Sequence, residues 1–181
     1  MRVILETERL ALREMTEDDL DFVAEMLADP DVMRHYPQTY DRSGAADWLA
    51  RQRRRYVRDG HGLWLVVDRA SGEPRGQVGL TLQAVHGVLE PELGYLVHRP
   101  YWRQGIAAEA AAGVRDWAFA ALAPAPARLV SLIRPANLAS QAVARRIGMR
   151  EAGRAPHAGL EHLVFALAAP AADSPVRESS G

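Results

Sequence analysis

Apolar and polar residues alternate over Arg9-Leu-Ala-Leu-Arg13, the period-two pattern of a half-buried strand. The period then lengthens. Thr16-Glu-Asp-Asp19 has the form of a capping box with aspartate in the reciprocal position, and Leu20, Val23 and Leu27 follow at helical spacing up to Asp29-Pro30. A second helix is expected from about Ser43 to Arg58, with Trp48 and Tyr56 on one side and Gly60 ending it. Leu63–Val67, Gln77–Leu82 and Glu92–Val97 read as three strands of an antiparallel meander, with a turn at Ser71-Gly-Glu-Pro74. An alanine-rich helix over Gly105 to Leu122 leads through Pro124 and Pro126 to a strand at Leu129–Ile133. Asn137 to Ile147 is a helix closed by Gly148, and short strands are expected at Arg150–Arg154 and Leu163–Leu167.

This order predicts one α+β domain over residues 1–169, a mixed and mostly antiparallel sheet flanked by helices, and a disordered tail from residue 170 to 181. Composition then narrows the function. The formal net charge is −1, which gives no global drive toward nucleic acid or an anionic membrane. All 22 basic residues are arginine, so a phosphate loop ending in lysine is excluded. Zero cysteine removes disulfides, thiolate metal sites and a cysteine nucleophile. The six histidines show no ligand pattern, and no metal is expected. No apolar run approaches the ~18 residues of a membrane span, and charges interrupt the first thirteen residues where a signal peptide would need an apolar core. A cytoplasmic protein is the expectation.

The most informative stretch is Glu92-Leu-Gly-Tyr-Leu-Val-His-Arg-Pro-Tyr-Trp-Arg-Gln-Gly-Ile-Ala107, a strand running through a basic turn into a helix start. Unpaired amides at a helix N-terminus, a glycine for close approach and a neighbouring arginine make a cradle for phosphate. Gly105 is also explicable as a bare helix start.

Taken with three other segments, this stretch resembles the GNAT superfamily of acyl-CoA-dependent N-acetyltransferases, and most nearly its ribosomal-protein N-terminal acetyltransferase branch. Glu6-Thr-Glu-Arg-Leu-Ala-Leu-Arg13 resembles the branch's opening strand, and Asp29-Pro-Asp-Val-Met33 a second landmark. Tyr101-Trp-Arg-Gln-Gly-Ile-Ala-Ala-Glu-Ala110 resembles its pyrophosphate loop, and Asn137-Leu-Ala-Ser-Gln-Ala-Val-Ala-Arg-Arg-Ile-Gly-Met149 its second cofactor motif. Two positions depart from the superfamily: Trp102 stands where Arg or Gln is common, with the charge at Arg103 instead, and Ala144 stands where many members have a tyrosine general acid.

The resemblance implies acetyl-CoA as cosubstrate, with its diphosphate on the backbone of Arg103, Gln104, Gly105, Ile106 and Ala107. Its pantetheine arm is expected between splayed parallel strands at the backbone of Leu96 and Val97, with Asn137 on the arm and Arg146 near a nucleotide phosphate. Glu92 is the implied base and Ser140 the implied partner of the leaving sulfur. The bland readings are a solvated Glu92, with Glu90 as competitor, a Ser140 bonded to its own helix, and an Asn137 that only caps. Glu109 is expected to brace the loop. The implied function is acetylation of a primary amine, a protein N-terminus or a small molecule, by direct attack in a ternary complex, with no membrane partner and a monomer or homodimer as the working state. A non-catalytic acyl-CoA sensor is the alternative. The run Arg51-Gln-Arg-Arg-Arg55 with Arg58 is read as a solvated helix face, or else as a patch for an acidic substrate or RNA.

Overall fold

The computed structural model describes residues 2–170. Eight strands form one sheet: β1 (Val3–Glu6), β2 (Leu10–Arg13), β3 (Leu63–Asp68), β4 (Pro74–Val85), β5 (Val88–Val97), β6 (Arg128–Ile133), β7 (Arg150–His157) and β8 (Leu160–Ala168). Their spatial order is β1-β2-β3-β4-β5-β6-β8-β7, and every neighbouring pair is antiparallel except β5 with β6. The helices are α1 (Leu20–Ala28), α2 (Pro30–Met33), α3 (Arg42–Arg58), α4 (Ile106–Ala121) and α5 (Leu138–Arg146). The expected α+β class with a mixed, mostly antiparallel sheet is what the chain adopts.

Side-chain parity on β3 explains the layers. Trp64 and Val66 pack with Ile106, Ala110, Ala111, Val114 and Ala118 of α4, whose small residues let the helix lie close on that face. Leu65 points the other way, into a cluster with Val23, Met26 and Leu27 of α1, Met33 of α2 and Leu49 of α3. Between β3 and β4 the sheet admits no side chain at Gly79, where a Cβ would stand 2.0 Å from the Gly62 carbonyl oxygen. The entry to α1 is held as the capping box predicts: the Thr16 amide donates to Asp19 Oδ2 (2.7 Å), while Arg13 grips both oxygens of the same carboxylate (2.6 and 2.7 Å). Burial opposes ionisation of Asp19, but these bonds outweigh it and hold the carboxyl below its ordinary range.

Several elements differ from expectation for local reasons. Gly105 is not the first helical residue but the N-cap, in a left-handed conformation. β4 and β5 run on past the predicted meander into a hairpin closed at His86-Gly87, where exposed Val88 and Leu89 hide the hydrophobic alternation. β1 was not anticipated, because its burial is only partial. The tail expected to be disordered lies, from residue 171 on, outside the described residues. No helix among the described residues is long and apolar enough to cross a membrane.

Candidate functional site

The turn before α4 is built so that its amides have nothing to bond. Arg103 (φ 62°) and Gly105 (φ 78°) are both left-handed. A Cβ at Gly105 would meet only an ordinary contact at 3.5 Å, so the backbone angle rather than space calls for glycine there. Arg9 donates from both terminal nitrogens to the Gln104 carbonyl (3.1 Å) and from Nε to Glu109 Oε2 (2.6 Å). Glu109 also accepts from the Thr7 hydroxyl (2.6 Å) and the Arg9 amide (2.9 Å). Burial works to raise the Glu109 carboxyl, and the Thr7 and Arg9 bonds overcome it and keep it low. The brace ties the Gln104 carbonyl to β2's lead-in. The first intrahelical amide bond is that of Glu109 to the Gly105 carbonyl (3.0 Å), so the amides of Ile106, Ala107 and Ala108 have no acceptor among the described residues. A cleft of about 510 Å³ beside them is lined by Arg9, Gln104, Gly105 and Arg146, among others.

β5 and β6 part immediately after Glu92 opposite Val130, the single register pair they share. Two side chains hold them open. Ser131 Oγ donates to the Leu93 carbonyl (2.6 Å), and the Leu132 amide donates to Glu92 Oε1 (3.3 Å). Beyond that point strand alternation decides which main-chain groups face the gap. His98 N bonds the Arg75 carbonyl of the β4 side and Leu96 pairs with Gln77, so the backbone of Leu96 is committed to β4. Tyr95 and Val97, rather than the expected Leu96 and Val97, therefore turn their amides to the gap, and the Val97 carbonyl there accepts from Trp102 Nε1 (2.7 Å).

A cavity of about 920 Å³ passes through the sheet at this gap. On the α4–α5 side it meets Asn137, Ser140 and Val143; on the other it meets Glu92, Thr81 and the inner face of α3. Glu92 is the hub. Its Oε2 accepts from Thr81 Oγ1 (3.1 Å), and its charge reaches Tyr36, Tyr95, Arg55 and His162. Tyr36 is pushed up to about 12, by burial first and then by Glu92. Tyr36 keeps 38% of its surface accessible although protein surrounds it, because it faces the cavity it lines. Tyr95 is raised by the same two causes in the same order, and its hydroxyl donates to the Ser140 carbonyl (2.6 Å), tying β5 to α5 across the gap.

The family model for the acetyltransferase (GNAT) domain matches residues 9–150. The chain belongs to the GNAT acetyltransferase family. Among relatives it is 34% identical over 146 residues to the uncharacterized protein YkkB of Bacillus subtilis (strain 168), a match covering 80% of this chain and 84% of that one. The acetyltransferase from Agrobacterium tumefaciens str. C58 superposes with a TM-score of 0.79 at 32% identity, over 92% of this chain and 94% of the other. RimL, a ribosomal L7/L12 alpha-N-protein acetyltransferase whose structure is a complex with coenzyme A, shares the fold with a TM-score of 0.74 at 18% identity, over 92% and 98% of the two chains.

Within this GNAT domain the sequence-predicted residues converge on one cavity. Arg103, Gly105, Ile106 and Ala107 line it at the helix start, Leu96 and Val97 along β5, Asn137, Ser140 and Arg146 on α5, and Glu92 at the parting of the strands; Gln104 lines the adjoining cleft. Asn137 does cap α5, its Oδ1 accepting from the Ser140 amide (3.1 Å), which leaves the Nδ2 donors over. Ser140 Oγ makes no hydrogen bond among the described residues. Glu90 does not compete with Glu92: it is buried, bonded through both oxygens to Arg128, and kept low first by that bond against the cost of burial. Tyr56, expected on one side of the helix with Trp48, bonds the Leu63 carbonyl away from the cavity, whereas Trp48 lines the cavity and donates to Gln77 Oε1 (2.9 Å). His157 and His162, 5.4 Å apart between ring centres, line the cavity on the Glu92 side of the sheet. Tyr95, Thr81 and Ser131 were missed by sequence reasoning. Only strand parity, counted from a known register, would have singled them out.

Proposed function

We propose that this protein transfers the acetyl group of acetyl-CoA to a primary amine in a ternary complex, with Glu92 as base. The residues present fit the cosubstrate on three counts: amides without acceptors at Ile106–Ala108, a left-handed glycine beside them, and a strand edge at Tyr95 and Val97 with no partner strand. Arg103 and Arg146 add positive charge at the cavity's phosphate end. Acetyl-CoA supplies an activated acyl thioester; the chain supplies placement and proton handling. The amide of Tyr95 or Val97 is positioned to stabilise charge on a carbonyl oxygen lying in the gap. Glu92 accepts the proton of the amine nitrogen, directly or through water, as the new C–N bond forms and the C–S bond breaks. Ser140 Oγ, with its proton uncommitted, donates a hydrogen bond to the departing sulfur.

The observation that carries this reading is the convergence of the phosphate turn, the opened strand edge and a carboxylate on one continuous cavity. Ribosomal-protein acetyltransferases among the fold neighbours support a protein N-terminus as one acceptor class, with small amines as the other. The test is calorimetric titration with acetyl-CoA and coenzyme A, followed by thiol release with a panel of amines and N-terminal peptides. Saturable binding with acceptor-dependent release is expected. Binding without release for any amine would favour a sensor, and no binding at all would end the proposal.

A further inference from the structure

The acceptor half of the cavity carries an unbalanced positive charge. Arg34, Arg51, Arg55 and Arg134 all line it, and none of them has a carboxylate partner among the described residues. Of the two lining carboxylates, Asp31 is taken by Arg99 (3.3 Å), which leaves Glu92 alone. Helical spacing explains the arrangement. Arg51 and Arg55 stand one turn apart on the face of α3 that also presents Trp48 and Gln52, while Arg53, Arg54 and Arg58 are exposed and Arg53 and Arg58 pair with Glu17 and Asp59. Arg51 lies over the Trp48 ring at 5.3 Å. Arg55 donates to Gln52 Oε1 (3.2 Å), which also accepts from the Leu63 amide (3.2 Å); the Nε2 of the buried Gln52 finds no acceptor. Burial, then the neighbouring Arg51 and Arg58, lowers the affinity of Arg55 for its proton, against the opposing charges of Asp59 and Glu92.

Resting on the acetyl-transfer reading, we infer that the acceptor is an amine bearing a carboxylate of its own, bound by Arg55 and Arg51 while its nitrogen lies at Glu92. A planar guanidinium matches a carboxylate in two bonds and stays charged, so the pair selects for anions rather than merely tolerating them. The same field disfavours an ammonium, which helps the bound nitrogen arrive neutral and disfavours polycationic amines. The carboxylate can belong to a free amino acid or to an acidic side chain near a peptide N-terminus.

The test measures kcat/KM for glutamate and for an acidic N-terminal tetrapeptide, each against its uncharged amide counterpart, with spermidine as a cationic amine. At least one acid should exceed its amide by about 30-fold or more, the lower end of what truncating one partner of a desolvated pair costs. Which acid does so tells the free amino acid from the peptide. That ratio should fall toward one in Arg55→Gln, fall part-way in Arg51→Gln, and invert in the double change of both arginines to glutamate. Coenzyme A affinity is measured for every variant, so a misfolded protein is recognised, and the ratio is insensitive to a general loss of activity. Turnover in which amides or spermidine match the acids overturns the anionic acceptor and leaves acetyl transfer standing. A protein that binds no coenzyme A fails at the earlier step and takes both readings with it.

Discussion

At the phosphate end of the cavity the ligand-facing groups are amides of a single helical turn, held by one brace from Arg9 and Glu109. At the acceptor end they are side chains drawn from α2, α3, β4, β5 and the β7–β8 hairpin. The first region can be read almost from the chain, because a left-handed glycine and a helix start are local facts. The second exists only once the sheet has assembled. On the proposed function the cosubstrate is gripped by main chain and the acceptor is met by side chains.

The largest expected effect separates chemistry from grip. Glu92→Gln should lower kcat by about a thousandfold, within the range of general-base loss, with coenzyme A affinity unchanged by calorimetry. An equal loss in affinity would show that Glu92 serves mainly to hold the strands apart. Gly105→Glu should do the reverse at the other end. A side chain forced into φ 78° and a negative charge beside the phosphates together should weaken coenzyme A binding by about 100-fold or more.

Asp19→Asn tests whether the α1–α3 layer is held independently. Both side chains of the Arg13–Asp19 pair are mostly buried, at 15% and 9% exposure, and the change should cost about 3 kcal/mol in urea unfolding. Because the folded carboxyl is lowered, its contribution is fully present above the unfolded value of about 4 and is lost as pH falls through the folded one. The variant's stability should therefore vary less with pH in that acid window. The smallest effect is expected from Glu109→Ala, which frees Arg9 and the Gln104 carbonyl and should weaken coenzyme A binding about tenfold while sparing kcat.

Much of the layer order follows from pattern: Trp64 and Leu65 pointing to opposite faces is simple alternation. The choice between Glu90 and Glu92 is a case where pattern fails. They are two residues apart on one strand and share a face, so parity cannot separate them; the register of β6 does, setting Arg128 beside one and Val130 opposite the other. The arginine run is intermediate. Its division into a cavity pair and an exposed set was available from the 3.6-residue period once Trp48 and Leu49 were taken as inward. That the inward pair faces a cavity was not, since that cavity is closed by the much later β5, β6 and β7–β8 strands.

An eight-stranded sheet ordinarily has two outer edges. By parting after Glu92, this one gains two more in its interior, with main-chain donors of β5 exposed to whatever extended molecule can enter. Such edges are a hazard at a protein's periphery, where they recruit other chains and seed aggregation. Sunk between helices, the same unsaturated groups are out of reach of a folded neighbour and open only to an extended segment that enters the cavity.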